Sequence, residues 1–88
     1  MRTAFRTSFT RDLRKVKSQS TLDRVREVIE QVEAAPDPAA ISDLKRLTGA
    51  SNAYRIRIGD YRIGVTIEGD LMEFVRFLHR RDLYRFFP

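Results

Sequence analysis

Apolar and polar residues alternate along residues 53–65, AYRIRIGDYRIGV, on both sides of a Gly-Asp pair. A period of two predicts half-buried strands over 53–58 and 60–67, joined by a two-residue loop at Gly59-Asp60. A third strand is predicted over 71–78, after the turn Glu68-Gly69-Asp70. The pattern upstream is helical. Leu22, Val25, Val28, Ile29 and Val32 form an apolar stripe, while Arg24, Arg26, Glu27, Glu30 and Glu33 fill the solvated side. Phe9, Leu13 and Val16 mark one face of an earlier helix, for which Thr10 is the expected cap. TAFRTSF (3–9) alternates loosely and reads as a first strand.

KSQS (17–20) separates the two helices, and Ser20 with Asp23 has the spacing of a cap for the second. PDP (36–38) stops that helix, because proline lacks a backbone donor and clashes with a helical predecessor. Ile41, Leu44 and Leu47, three apart, predict one or two helical turns within 39–51, ended by Gly49. RRDLYRFFP (80–88) is a short tail with room for one helical turn. No repeat, low-complexity stretch or boundary divides the chain, so residues 1–88 form one domain. The order β-α-α-β-β-β predicts an α+β domain, with a mainly antiparallel sheet and a helical hairpin on one face.

A two-residue loop at Gly59-Asp60 fixes the register. Ile58 then faces Tyr61, Arg57 faces Arg62, Ile56 faces Ile63, Arg55 faces Gly64 and Tyr54 faces Val65. One face carries Tyr54, Ile56, Ile58, Tyr61, Ile63 and Val65, and belongs to the core. The other carries Arg55, Arg57, Arg62, Gly64 and Thr66. Arg57 opposite Arg62 is a like-charge pair, which costs a few tenths of a kcal/mol up to about 1. Only Asp60, at the turn, is at hand on these strands to offset it, and Gly64 leaves an open spot on the sheet. A single arginine ordinarily just covers a solvated face. Three crowded together suggest an anion site, since each guanidinium offers a planar fork of donors matched to phosphate.

Composition sharpens this picture. The 88 residues carry 17 Lys and Arg against 12 Asp and Glu, a net charge of +5. Residues 1–44 hold +1 of it and residues 45–88 hold +4. Such a balance favours a polyanionic partner. There is no cysteine and one histidine, which excludes disulfides and the common zinc patterns. No Gly-rich phosphate loop is present. No apolar run approaches the length of a membrane span, and MRTAFRTSFTRDLRK lacks the apolar stretch of a signal peptide. The expected compartment is therefore the cytoplasm, with no membrane partner.

The tail holds a second group of candidates: His79, Arg80, Arg81, Asp82, Tyr84 and Arg85. In a simple meander they follow a strand that neighbours the hairpin. Arg80 or Arg81 then reaches the same anion, and Tyr84 can stack on a base or use its hydroxyl. Phe86 and Phe87 are expected as core anchors. The side taken by Phe77 depends on how the 68–70 turn closes.

LKRLTGASNAYRIRIGDYRIGV and FLHRRDLYRFF, in this order, resemble the RelE/ParE superfamily of toxins from toxin–antitoxin systems. The likeness covers nearly the whole chain. It implies a compact microbial-ribonuclease-like α+β fold. It also implies a toxin that cuts mRNA in the ribosomal A site by attack of a ribose 2′-oxygen on the adjacent phosphate, with no metal or other cofactor. The family's basic strand positions fall on Arg55, Arg57 and Arg62, its basic residue after the last strand on Arg80, and its C-terminal tyrosine on Tyr84. On that likeness Arg62, Arg80 and Tyr84 are the expected catalytic residues, with Arg55, Arg57 and Arg81 binding substrate. Some members carry lysines where this chain has Arg55 and Arg57. A lysine can be tuned to lose a proton and arginine effectively cannot, so Tyr84, His79 and Asp82 stay open as general bases. The implied partners are mRNA, the ribosome and a cognate antitoxin. The alternative within the same fold is a ParE-like toxin that poisons DNA gyrase and cleaves nothing.

Overall fold

A computed structural model describes all residues, 1–88. Five strands form one sheet in the order β1-β5-β4-β3-β2: β1 Arg2–Phe5, β2 Leu44–Arg46, β3 Ala53–Ile58, β4 Tyr61–Glu68 and β5 Leu71–His79. Only the β1–β5 pairing is parallel. Helices α1 (Thr7–Arg14) and α2 (Gln19–Ala34) lie on one face. A single-turn helix, α3 (Leu83–Phe86), closes part of the other. No helix is long and apolar enough to cross a membrane.

The main core lies between the sheet and the helical hairpin. Phe9, Val25 and Val32 from the helices meet Ile56, Ile58, Ile63, Val65, Met72, Phe74 and Phe77 from the strands. Phe74 stacks on Phe5 at 5.1 Å and tilts against Phe9 at 5.4 Å, which fixes α1 over the β1–β5 seam. The β3–β4 register is the expected one throughout, with Gly59 at φ 55° in the loop. A positive φ at this point is what a tight hairpin loop needs, and glycine supplies it without a Cβ clash.

Four local expectations are corrected. The first helix begins at Thr7 and not after Thr10. Its N-cap position is Arg6, in extended backbone and without a side-chain cap, and the Thr10 hydroxyl donates back to the Thr7 carbonyl at 3.0 Å. The first strand accordingly ends at Phe5. The cap of α2 is Ser18, whose hydroxyl accepts from the Thr21 backbone N–H at 3.2 Å, whereas Ser20 only bonds to Ser18. Residues 39–51 do not form the expected turns of helix. A 3-10 turn over Pro38–Ala40 gives way to β2, because Asp43 takes φ 61° and breaks any helical continuation. Leu44 then pairs with Ile56 and faces the core, while Lys45 pairs with Arg55. Finally, Phe86 is no core anchor. It is 52% exposed, and only Phe87, at 4%, is buried.

Strand β5 departs from simple alternation. Gly64 pairs with Arg76 and Val65 with Phe74, so Val75 is an extra residue on β5. This bulge lets Phe74 and Phe77 both enter the core although they are three apart. Val75 and Arg76 therefore both leave the core. Val75 packs in a second cluster with Leu47, Ala53, Leu83 and Phe87. Arg76 instead reaches round the strand edge to α1.

There it meets Asp12, the one buried charged residue of the chain. Asp12 accepts from Arg76 Nε at 2.8 Å, from a second Arg76 nitrogen at 3.2 Å and from the Phe77 backbone N–H at 2.9 Å. A buried carboxylate held this way ties α1 to the β5 edge beyond the end of β1. Replacing Asp12 by Asn should cost about 1–3 kcal/mol, since the charge is lost and an amide NH2 in place of Oδ1 turns a donor toward the second guanidinium nitrogen. A thermal melt is the measurement, with roughly 4–8 °C lost per kcal/mol in a domain of this size.

Candidate functional site

The outward sheet face is divided by the tail. Around Gly64 it is covered by α3 and Phe87, and near the Gly59-Asp60 loop it is cationic. Phe87 marks the division. A Cβ added to Gly64 would stand 2.7 Å from the Phe87 ring, so glycine here makes room for that ring. The open spot expected at Gly64 is thus filled by the protein's own tail. The Phe87 N–H donates to the Leu83 carbonyl at 2.8 Å, and both side chains are buried. This anchorage carries α3, and with it Tyr84, which stays 71% exposed.

Arg57 and Arg62 are directly opposed across β3 and β4, as the sequence implied. The Arg62 guanidinium donates to the carbonyls of Gly59 at 2.8 Å and Tyr61 at 2.9 Å, which holds it against the loop without an acidic partner. The relief for Arg57 comes from a residue that the sequence pattern did not single out. Asp43, just before β2, accepts from Arg57 at 3.2 Å, and its backbone carbonyl accepts from Arg55 at 2.8 Å. Its signal in the sequence is faint, because the short strand that places it has only three residues. Lys45 adds a further cation in line with Arg55.

Arg80 joins from the other side. Its backbone N–H donates to the Asp60 carbonyl at 2.8 Å, so the end of β5 is tied to the hairpin loop. The consequence is electrostatic. The Arg62 guanidinium is held below the ordinary arginine range, first by desolvation and then by the charges of Arg55, Arg57 and Arg80, with Tyr84 acting in the opposite direction. All five side chains therefore share one neighbourhood. Arg62 keeps its proton, as arginine does in proteins. The crowding is a cost that an arriving anion removes. Salt should do part of the same work. Raising ionic strength from 0.1 to 1 M shortens the screening length from about 10 to 3 Å. Melting temperature should then rise more for the native protein than for an Arg62→Ala variant.

His79 and Asp82 are placed elsewhere. His79 pairs with Tyr61, on the helix side of the sheet, and its ring meets Tyr61 edge-on at 5.7 Å. Nδ1 of His79 accepts from the Arg81 backbone N–H at 3.2 Å, which leaves Nε2 as the protonated nitrogen when the ring is neutral. Asp82 precedes α3 and lines, with His79, a groove along the β5 edge. The structure thus gathers Arg55, Arg57, Arg62, Arg80 and Tyr84 and sets His79 and Asp82 apart. Arg81 is exposed at the turn between the two regions.

Residues 4–84 match the family of ParE toxins of type II toxin-antitoxin systems, parDE. Toxin RelE3 of Methanocaldococcus jannaschii is 36% identical over 89 residues, which covers the whole of both chains. A chain of the RelB-RelE antitoxin-toxin complex from Methanococcus jannaschii superposes with a TM-score of 0.81 at 35% identity, over 97% of this chain and 99% of that one. A chain of the toxin-antitoxin complex RelBE2 from Mycobacterium tuberculosis gives 0.70 at 25% identity, over 92% of each. The archaeal RelE-RelB complex from Pyrococcus horikoshii OT3 shares the fold, with a TM-score of 0.72 at 22% identity over 90% of this chain and 93% of that one.

Proposed function

This chain belongs to the RelE/ParE superfamily of type II toxin–antitoxin toxins, and on that premise we propose that it is an endoribonuclease whose arginine face cleaves mRNA in the ribosomal A site. The observation that carries the reading is the convergence of Arg55, Arg57, Arg62 and Arg80 beside an exposed Tyr84. A face built only to be solvated gains nothing from opposing two arginines and holding one of them against carbonyls with no carboxylate.

In the reaction, the ribose 2′-oxygen attacks the adjacent phosphorus and loses its proton. The bond from phosphorus to the 5′-oxygen breaks. The 5′-oxygen takes up a proton, leaving a 2′,3′-cyclic phosphate and a 5′-hydroxyl. Negative charge on the equatorial oxygens grows at the pentacovalent stage. Fixed guanidiniums stabilise that stage more than the ground state, which is what accelerates the step. Arg62 and Arg80 take this role. Arg55 and Arg57 hold the flanking phosphates, and Arg81 extends the basic track. Of the three candidates for proton transfer, Tyr84 alone lies with the arginines, so it is assigned to that transfer or to stacking on the base beside the scissile phosphate.

A cognate antitoxin is the proposed protein partner, by analogy with the complexes in which the relatives were solved. A cytoplasmic location follows from an mRNA substrate. The test is primer extension on cellular mRNA after expression of the toxin. Cuts at fixed codon positions, confined to translated regions, support the reading. The match to the ParE family favours one alternative, inhibition of DNA gyrase without cleavage. Uncut mRNA on translating ribosomes, together with arrested supercoiling, would select that alternative.

A further inference from the structure

We infer that the groove along the free edge of β5 is a second single-stranded RNA subsite, holding nucleotides beyond those on the arginine face. The inference rests on the nucleic-acid reading above and extends it to the opposite side of α3. β1 pairs with β5 only over residues 71–74, so the stretch from Val75 to His79 has no neighbouring strand on that side. The groove there has a volume of about 630 Å³, the largest in the molecule. The end of α1 and the start of α2 form one wall, and β5 with α3 forms the other.

Its chemistry fits one class of ligand. Lys15 and Lys17 are exposed on one wall, and neither makes an ion pair. On the opposite wall Phe86 stands half-exposed, with the guanidiniums of Arg76 and Arg85 at 5.5 and 5.4 Å from its ring centre. Of the two acids in the lining, Asp12 is already committed to Arg76, and Asp82 makes no ion pair. Unpaired cations facing an exposed aromatic ring make the arrangement that binds a phosphate backbone and stacks a base without reading sequence. A buried apolar ligand would want a drier pocket, and an acidic peptide has no use for the ring. Arg80 and Arg81 connect the groove to the arginine face, so a strand leaving Arg62 meets cations along its path. On this view the groove extends the binding track and His79 and Asp82 line its floor.

The test measures binding by fluorescence anisotropy, using 2′-O-methyl RNA so that nothing is cleaved. A trinucleotide and a twelve-nucleotide strand are titrated from low to moderate salt. Lys15→Ala/Lys17→Ala should weaken the long strand and reduce its salt slope by about 1.4, at about 0.7 for each phosphate no longer neutralised. The trinucleotide, confined to the arginine face, should be unaffected. Phe86→Ala should weaken the long strand about 5- to 150-fold, the range for one base stacked on an aromatic ring. An unchanged affinity and slope for the long strand in the double-lysine variant would overturn the groove alone, provided Arg62→Ala still weakens both strands. If neither strand binds the native protein at low salt, the nucleic-acid reading of the arginine face falls, and the groove with it.

Discussion

Replacing Arg62 by alanine is expected to slow mRNA cleavage about 10²–10³-fold while changing stability by no more than about 1 kcal/mol. The two halves of this result have one cause. Arg62 is a cation placed opposite another cation, partly desolvated, with Arg55 and Arg80 nearby and no carboxylate of its own. Folding gains little from that charge beyond its two hydrogen bonds to the loop carbonyls. Removing it relieves a cross-strand repulsion worth a few tenths of a kcal/mol up to about 1. The charge becomes useful only when a phosphate gathers negative charge within reach, so its loss falls on the transition state. Single-turnover cleavage of a programmed ribosomal complex and a thermal melt of the same preparation supply the two measurements. A variant that melts well below the native protein, with cleavage reduced only in proportion to the folded fraction, would show Arg62 to be structural. Arg62→Lys separates charge from geometry. It keeps the cation and loses the planar fork, so it should recover part of the rate and not all of it.

The second large effect is expected far from any reacting atom. Phe87→Ala should cost about 3–5 kcal/mol, the range for emptying a buried phenylalanine site. It should also reduce cleavage, although Phe87 is buried with Leu47, Ala53 and Leu83 and brings no reacting group of its own. Phe87 and Leu83 anchor the single turn that carries Tyr84, and that turn has no side-chain cap to hold it otherwise. Gly64→Ala approaches the same packing from the sheet side. Its new methyl would press on the ring at 2.7 Å, and overpacking of this kind costs about 1–3 kcal/mol. The two changes should not add. With the ring gone, the methyl at Gly64 finds free space, so the double variant should be no less stable than Phe87→Ala alone. Additive melting temperatures would mean that the ring does not rest on the glycine.

What could be read in the sequence follows from how local each feature is. The β3–β4 hairpin was fully legible, because a two-residue loop and a period of two leave one register, and every cross-strand partner follows from it. The opposition of Arg57 and Arg62 comes with that register. The short strand β2 was hidden, since Ile41, Leu44 and Leu47 satisfy a helical spacing and only the left-handed backbone at Asp43 rules it out. With β2 went the partner of Arg57. Strict alternation could not place Phe77, because the extra residue at Val75 resets the parity halfway along the strand. Phe86 and Phe87 are adjacent and chemically identical. Which one is buried was decided by the space above Gly64, a long-range fact. Residue type and order single out the site candidates, whereas the separation of His79 from the arginines follows only from the face each strand position takes.

The bulge at Val75 also governs what lengths this strand can have. Deleting Val75 would leave Phe74, Arg76 and Phe77 in plain alternation, so both aromatics would still face the core and only the Val75 contacts of the second cluster would be lost. Deleting a residue on either side of the bulge would instead turn the core positions beyond the gap outward. A scan of single-codon deletions should therefore find β5 tolerant at Val75 and intolerant on either side of it, while the loop over residues 48–52 accepts them. The strand that joins the two faces of this protein is thus constrained in its count of residues everywhere but at the bulge.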